Sequence, residues 1–188
     1  MLNFKFLLKN LLLSLILFTL TACTSNTFTI NKKPAHQETI VMHEVVAGGK
    51  NRRLGYIQAE DTSLGLLIIP HLKNIPHGFH GFHVHMHPNC SNHGIAAGGH
   101  LDPYHTGKHL GPYENGHLGD LPVLYANVKG EITGPVIAPR LTLQQIRGHS
   151  LMIHVKGDNY SDHPVKLGGG GTRFACGIVK YRSYALTA

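Results

Sequence analysis

From residue 39 onward the chain alternates short apolar runs with clusters of Gly, Pro, Asn and Asp, as at Gly48-Gly49 and Lys129-Gly130. Runs this short, bounded by turn residues, read as β-strands. The pattern predicts strands over 39–46, 54–59, 64–72, 79–86, 123–128, 131–137, 151–155 and 173–181. Residues 142–147 read instead as a turn or two of helix capped by Thr142. Strands in this number with turns between them predict an all-β sandwich or barrel. Two stretches fit neither period: 88–122, rich in His and Gly, and 157–172, which ends in Gly168-Gly169-Gly170-Gly171. Structureless loops of such length inside a compact domain are usually functional.

The start of the chain follows another pattern. Lys5 and Lys9 precede the apolar run 11–20, which is too short to span a bilayer and predicts an export signal over 1–22. Leu20-Thr21-Ala22-Cys23 resembles the lipobox of bacterial lipoproteins, where the cysteine becomes the acylated first residue. The alternative is ordinary cleavage nearby, leaving Cys23 as a free thiol. Several acyl chains would give a stable anchor, since each buried CH₂ contributes ~0.8 kcal/mol. Thr24 after the cysteine resembles the outer-membrane sorting pattern. The polar stretch 23–38 predicts a flexible tether, and 39–188 the folded domain. An exported chain with two further cysteines, Cys90 and Cys176, most simply makes one disulfide; two buried thiols are the alternative.

Composition narrows the partners. The net charge is +7, but Lys5 and Lys9 fall in the leader, and the only basic pairs are Lys32-Lys33 and Arg52-Arg53. Nucleic-acid binding needs a clustered basic face with aromatics, so no nucleic-acid partner is expected. A diffuse positive field instead favours small anions. The unusual count is 16 histidines, concentrated between His71 and His117. Imidazole is the commonest metal ligand, so the spacing of these residues decides what they do.

In Gly81-Phe82-His83-Val84-His85, a strand points His83 and His85 to one face. His87 shares their parity, so spacing alone leaves open which two bind. The long loop supplies Gly99-His100-Leu101-Asp102-Pro103, Gly107-Lys108-His109 and Gly116-His117-Leu118-Gly119-Asp120. Three imidazoles and a carboxylate can close a tetrahedral zinc site. His154 is a lone polar residue in an apolar run, a position more often filled by a satisfied core histidine.

These motifs, with the terminal G-G-G-G-x-R-x-A-C-G of residues 168–177, occur in one order and resemble the copper/zinc superoxide dismutases in their bacterial periplasmic form. The resemblance covers 39–180. It implies an eight-stranded Greek-key barrel, immunoglobulin-like in its layering, with two long functional loops. It implies one copper and one zinc ion per subunit and superoxide as substrate. Copper would be held by His83, His85, His100 and His154, and zinc by His100, His109, His117 and Asp120, so that His100 bridges the two ions. Asp158 matches the carboxylate that bonds one ligand of each metal. Arg173 matches the arginine beside the copper channel, and with His100 forms the expected catalytic pair. Cys90 and Cys176 match the family disulfide, and His80 a histidine bonded to backbone. The family implies a homodimer, although bacterial members also include monomers. With the lipobox, the expected location is the periplasm, anchored to the outer membrane through Cys23. The surplus histidines, notably His87, His93 and His105, have no family role; they read first as exposed or locally hydrogen-bonded side chains, with auxiliary metal capture the sharper alternative that their density suggests. Rival readings are a non-catalytic copper/zinc delivery protein and a zinc hydrolase, which would need an open zinc position that four ligands fill.

Overall fold

The structure is a computed structural model and describes residues 37–45 and 52–181. The export signal, Cys23, the Gly48-Gly49 turn and all of the tether but its last two residues lie outside the described residues. Those two, Gln37 and Glu38, already belong to the first strand. Among the described residues no helix is long and apolar enough to cross a membrane.

Strands β1 (Gln37–Glu44), β2 (Arg53–Thr62) and β3 (Gly65–Leu72) form an antiparallel meander. Ile40 and Met42 on β1, and Leu66, Ile68 and Leu72 on β3, are buried at alternating positions, the period of a strand with one dry face. Between β1 and β2 the register shifts at Met42/His43, leaving Leu54 as an extra residue on β2. Beside it Gly55 has φ +136°, and a Cβ there would stand 2.1 Å from the His71 carbonyl oxygen. Only glycine lets β2 and β3 close at this bulge.

The strand expected over 79–86 is two strands, β4 (Gly78–His80) and β5 (Phe82–His85). Gly81 divides them: its N–H donates to the Lys156 carbonyl at 2.7 Å, and its own carbonyl accepts the His154 N–H at 2.8 Å. β4 therefore pairs with β6 (Leu124–Ala126), while β5 pairs with β8 (Ser150–His154). The strand expected over 131–137 shrinks to β7 (Val136–Ala138). Ile132 keeps only an isolated bridge to Leu72, and Pro135 has no N–H to give a ladder. β9 (Arg173–Ile178) completes a curled sheet ordered β5-β8-β9-β1-β2-β3-β7, all antiparallel, which lays the last strand beside the first. This is the Greek-key barrel expected from the sequence, with nine described strands because of the break at Gly81. The expected helical turn is α1 (Leu143–Ile146), where the Gln145 side chain accepts the Thr142 N–H at 2.9 Å. Asp61 on β2 also accepts the Leu143 N–H at 2.6 Å.

Phe82 and Val84 on β5 and Leu151 and Ile153 on β8 sit in the centre of the core. Each such burial contributes roughly 1.5–3 kcal/mol. The loop 86–122 is irregular but not loose. Leu101, Leu118 and Leu121 drop into the same core. Its main chain returns along β5 through bridges His85↔His100 and His83↔Asp120. At Gly119 a Cβ would meet the Val84 carbonyl oxygen at 2.4 Å, so glycine permits this approach. Cys90 and Cys176 form a disulfide with Cα atoms 5.7 Å apart, tying the loop to β9 across 86 residues. Chain entropy gives a closure of that length about 4–5 kcal/mol.

Candidate metal centre

His83 and His85 leave β5 on one face while Phe82 and Val84 fill the core on the other. Across the ladder, His154 ends β8 after a bulge and lies directly opposite Arg173 on β9. The ligand atoms of His83, His85, His100 and His154 all fall within 4.8 Å of one another, and all four residues are buried. Each strand-borne ring donates from one nitrogen and keeps the other bare. His83 Nε2 donates to Asp158 at 2.7 Å, His85 Nδ1 to the Gly98 carbonyl at 2.9 Å, and His154 Nδ1 to the Gly171 carbonyl at 3.0 Å. Fixing one nitrogen as donor fixes the other as a lone pair. Burial, with His100 nearby, pushes His83 down to about 3 and His85 to about 2. His154 falls to about 4, chiefly through burial. All three rings are neutral at pH 7 and able to bind an ion.

The second group comes from the loop. His100, His109 and His117 turn their Nδ1 atoms toward Asp120, at 2.9, 3.0 and 3.5 Å from its carboxylate oxygens. A tetrahedral zinc site with bonds of roughly 2.0–2.1 Å spaces its ligand atoms about 3.3 Å apart, so each imidazole stands near the required distance from the carboxylate, while His117, at 3.5 Å, lies outside the tight clusters. His83, His100, His109 and Asp120 also form a buried cluster within 4.8 Å. His100 belongs to both groups; its Nδ1 faces Asp120, and its ring stacks on His83 at 3.8 Å between centroids. His83 is shared too, but its Nε2 is already committed to Asp158.

Asp158 joins the two sides, accepting from His83 at 2.7 Å and from His109 Nε2 at 2.8 Å. Burial opposes ionisation of Asp120 and Asp158, yet the imidazoles around them hold both well below the usual carboxylate range. The same contacts outweigh the burial of His109 and raise it to about 9. Arg173 donates to the carbonyls of Gly94 and Gly98, which holds its guanidinium against the loop that the disulfide anchors. His80 stands apart from the metal groups, with its ring nitrogens 2.7 Å from the carbonyls of His154 and Pro76. Among the described residues His87, His93 and His105 join neither cluster.

Sequence reasoning missed three supporting residues. Tyr160 Oη accepts the Val123 N–H at 2.9 Å, Asp162 accepts the His109 N–H at 3.0 Å, and Arg140 donates to the Gly116 carbonyl at 3.0 Å. The signal for two of them was an alternation inside an apparent loop, Asp158-x-Tyr160-x-Asp162.

Whether copper and zinc fit can be asked of the unpartnered atoms. Among the described residues, the buried side-chain polar atoms with no hydrogen-bond partner are His83 Nδ1, His85 Nε2, His154 Nε2, His109 Nδ1, His117 Nδ1, Asp120 Oδ2 and Arg147 Nε. All but the last belong to the two groups. Buried polar atoms are rarely left unpaired, and here the bare atoms converge. An all-imidazole group suits copper, and three imidazoles with a carboxylate suit zinc.

Comparison with known proteins places the chain. A family model described as copper/zinc superoxide dismutase (SODC) matches residues 54–179. A protein of Francisella tularensis subsp. holarctica named superoxide dismutase [Cu-Zn] is 58% identical over 118 residues, covering 61% of this chain and 64% of that one. Superoxide dismutase [Cu-Zn] 2 of Salmonella typhimurium is 46% identical over 177 residues, covering 89% of this chain and 98% of that one. The solved Cu/Zn superoxide dismutase of Brucella abortus superposes with a TM-score of 0.73 at 44% identity, covering 77% of this chain and 99% of that one. With its fold also in agreement, the chain belongs to the copper/zinc superoxide dismutase family.

Proposed function

We propose that this superoxide dismutase, which converts superoxide to dioxygen and hydrogen peroxide, holds copper with His83, His85, His100 and His154 and zinc with His100, His109, His117 and Asp120. The observation that supports the assignment is that, among the described residues, the buried side-chain polar atoms without a partner lie on His83, His85, His154, His109, His117 and Asp120, and otherwise only on Arg147. Bound copper supplies a one-electron cycle between Cu(II) and Cu(I), so that one superoxide leaves as O₂ and the next, with two protons, as H₂O₂, while zinc supplies a fixed, redox-silent charge.

The chain's own residues do the rest. His83, His85 and His154 present neutral nitrogens whose tautomers are set by Asp158, Gly98 and Gly171. His100 keeps Nδ1 toward Asp120, which leaves Nε2 as the atom where a proton is held and passed to the departing peroxide. Arg173, opposite His154, offers the anion charge-assisted hydrogen bonds. Lys108, Lys156 and Lys166 are exposed and add to the positive field that draws superoxide in.

The deciding experiment joins metal analysis to superoxide decay measured after rapid mixing. One copper and one zinc per chain with rapid decay is the expected result. A fully loaded chain without activity would point to a metal-delivery role.

Its place is proposed from the leader. The lipobox at Cys23 makes the protein a periplasmic lipoprotein, anchored to the outer membrane, and the stretch between Cys23 and the start of β1 tethers the domain. Palmitate labelling that survives in Cys23→Ser would overturn the anchor. Phe79 and Tyr125, in contact at 5.1 Å on β4 and β6, stay exposed and support the homodimer reading. Sedimentation should give a dimer for the wild type and a monomer for Tyr125→Asp; a monomeric wild type ends that reading.

A further inference from the structure

The loop that carries the zinc-side histidines is gripped from outside at both of them. Asp162 Oδ2 accepts the His109 N–H at 3.0 Å, and its Oδ1 accepts the Leu167 N–H at 3.1 Å. On the far side Arg140, in the turn after β7, donates to the carbonyls of Gly116 at 3.0 Å and His117 at 3.3 Å. Between these grips the two histidine segments bond each other, His117 N–H to the Lys108 carbonyl at 2.8 Å. They pack so closely that a Cβ at Gly116 would come within 2.6 Å of the Lys108 oxygen.

Every one of these contacts is to main chain. The imidazoles of His109 and His117 stay free to point at Asp120. Neither histidine lies on a strand or a helix, so no ladder fixes its Cα. We propose that Asp162 and Arg140 are positioning residues that clamp the backbone of His109 and His117 and thereby set how slowly the zinc side gives up its ion. Ion loss from a tetrahedral site starts with one ligand swinging away. A ligand on a clamped peptide returns; one on a mobile loop is exchanged for water. Outer groups that orient ligands in this way are typically worth 10–100-fold in metal affinity. The clamp touches none of the copper-side strands, so its effect falls on zinc first and reaches copper only through Asp158, which joins His109 to His83. The inference rests on the reading of His109 and His117 as zinc ligands.

The test uses protein loaded with copper and zinc and mixed with a chromophoric zinc chelator. Asp162→Ala and Arg140→Ala are expected to release zinc about 10–100-fold faster than wild type, with the copper EPR signal retained. Asp162→Asn keeps one acceptor oxygen, is nearly isosteric if alanine impairs folding, and should fall between. Cobalt placed in the zinc site gives a second readout, a shift of its visible bands in the variants. Asp61→Asn, which weakens a like carboxylate-to-N–H bond at α1, should leave zinc release unchanged; equal acceleration there would overturn the proposal as a general stability effect. His109→Ala separates the two claims. If it sheds zinc while the Asp162 and Arg140 variants keep wild-type release and cobalt spectra, the clamp is wrong and the ligand assignment stands. If it retains zinc, the ligand assignment falls and takes the clamp with it.

Discussion

The two halves of the metal centre are built in different ways. On one side His83, His85 and His154 stand on β5 and β8, and the packing of Phe82, Val84, Leu151 and Ile153 on the opposite face fixes where they point. On the other side His109, His117 and Asp120 come from a loop with no ladder of its own, held by side chain-to-backbone bonds and buried leucines. The strand-borne side should therefore be preformed without metal. The loop-borne side depends on polar contacts that each contribute little. Charge follows the same division: burial keeps the strand histidines neutral, while Asp120 and Asp158 make the loop side a negative well in which His109 titrates near about 9.

The most severe break is on the strand side. His83→Ala or His154→Ala should abolish superoxide decay, measured by pulse radiolysis, with zinc still bound; retained turnover would sink the copper assignment. Next comes the join. Asp158→Asn should weaken zinc retention 10–100-fold, as expected for a group that orients a metal ligand, with smaller loss at copper, because His83 still has its strand while His109 loses a main restraint. Equal loss of both metals would mean the two halves are not separately built.

A third test uses pH on the metal-free protein. Folded His83, His85 and His154 titrate at about 3, 2 and 4, below the unfolded value near 6.5. The unfolded chain thus binds protons more readily, and stability falls as pH drops from about 6.5 toward 4. His109, raised to about 9, acts in the other direction: its contribution is complete below about 6.5 and disappears as pH rises through about 9. Calorimetry should show the metal-free protein melting lower at pH 4.5 and at pH 9.5 than near pH 6.5, and a flat profile would refute this. The smallest effect is at the rim. Replacing Lys108, Lys156 and Lys166 by Gln should slow decay several-fold at low salt and hardly at all at high salt; salt-independent slowing would argue against steering.

Much of the site could be read from the sequence because its strand side obeys a period. Parity put His83 and His85 on one face, and motif order pointed to the loop residues proposed as ligands. Parity could not choose among His83, His85 and His87; the structure leaves His87 outside both clusters. The split at Gly81 was hidden, since Gly78–His80 and Phe82–His85 read as one run until His154 and Lys156 capture the Gly81 peptide. Asp162 and Arg140 were hidden for another reason. Asp162 lies 53 residues from His109, and Arg140 lies 24 from Gly116 and 23 from His117. They hold peptides, not side chains, so no residue type at the receiving end advertises the contact.

One carbonyl, that of Gly98, receives both the His85 Nδ1–H and the Arg173 guanidinium. The group proposed to draw in the anion and a group proposed to hold the electron carrier thus share a single peptide plane. Any tilt of that plane displaces both together, so docking distance and redox environment cannot be tuned independently by changes in this segment.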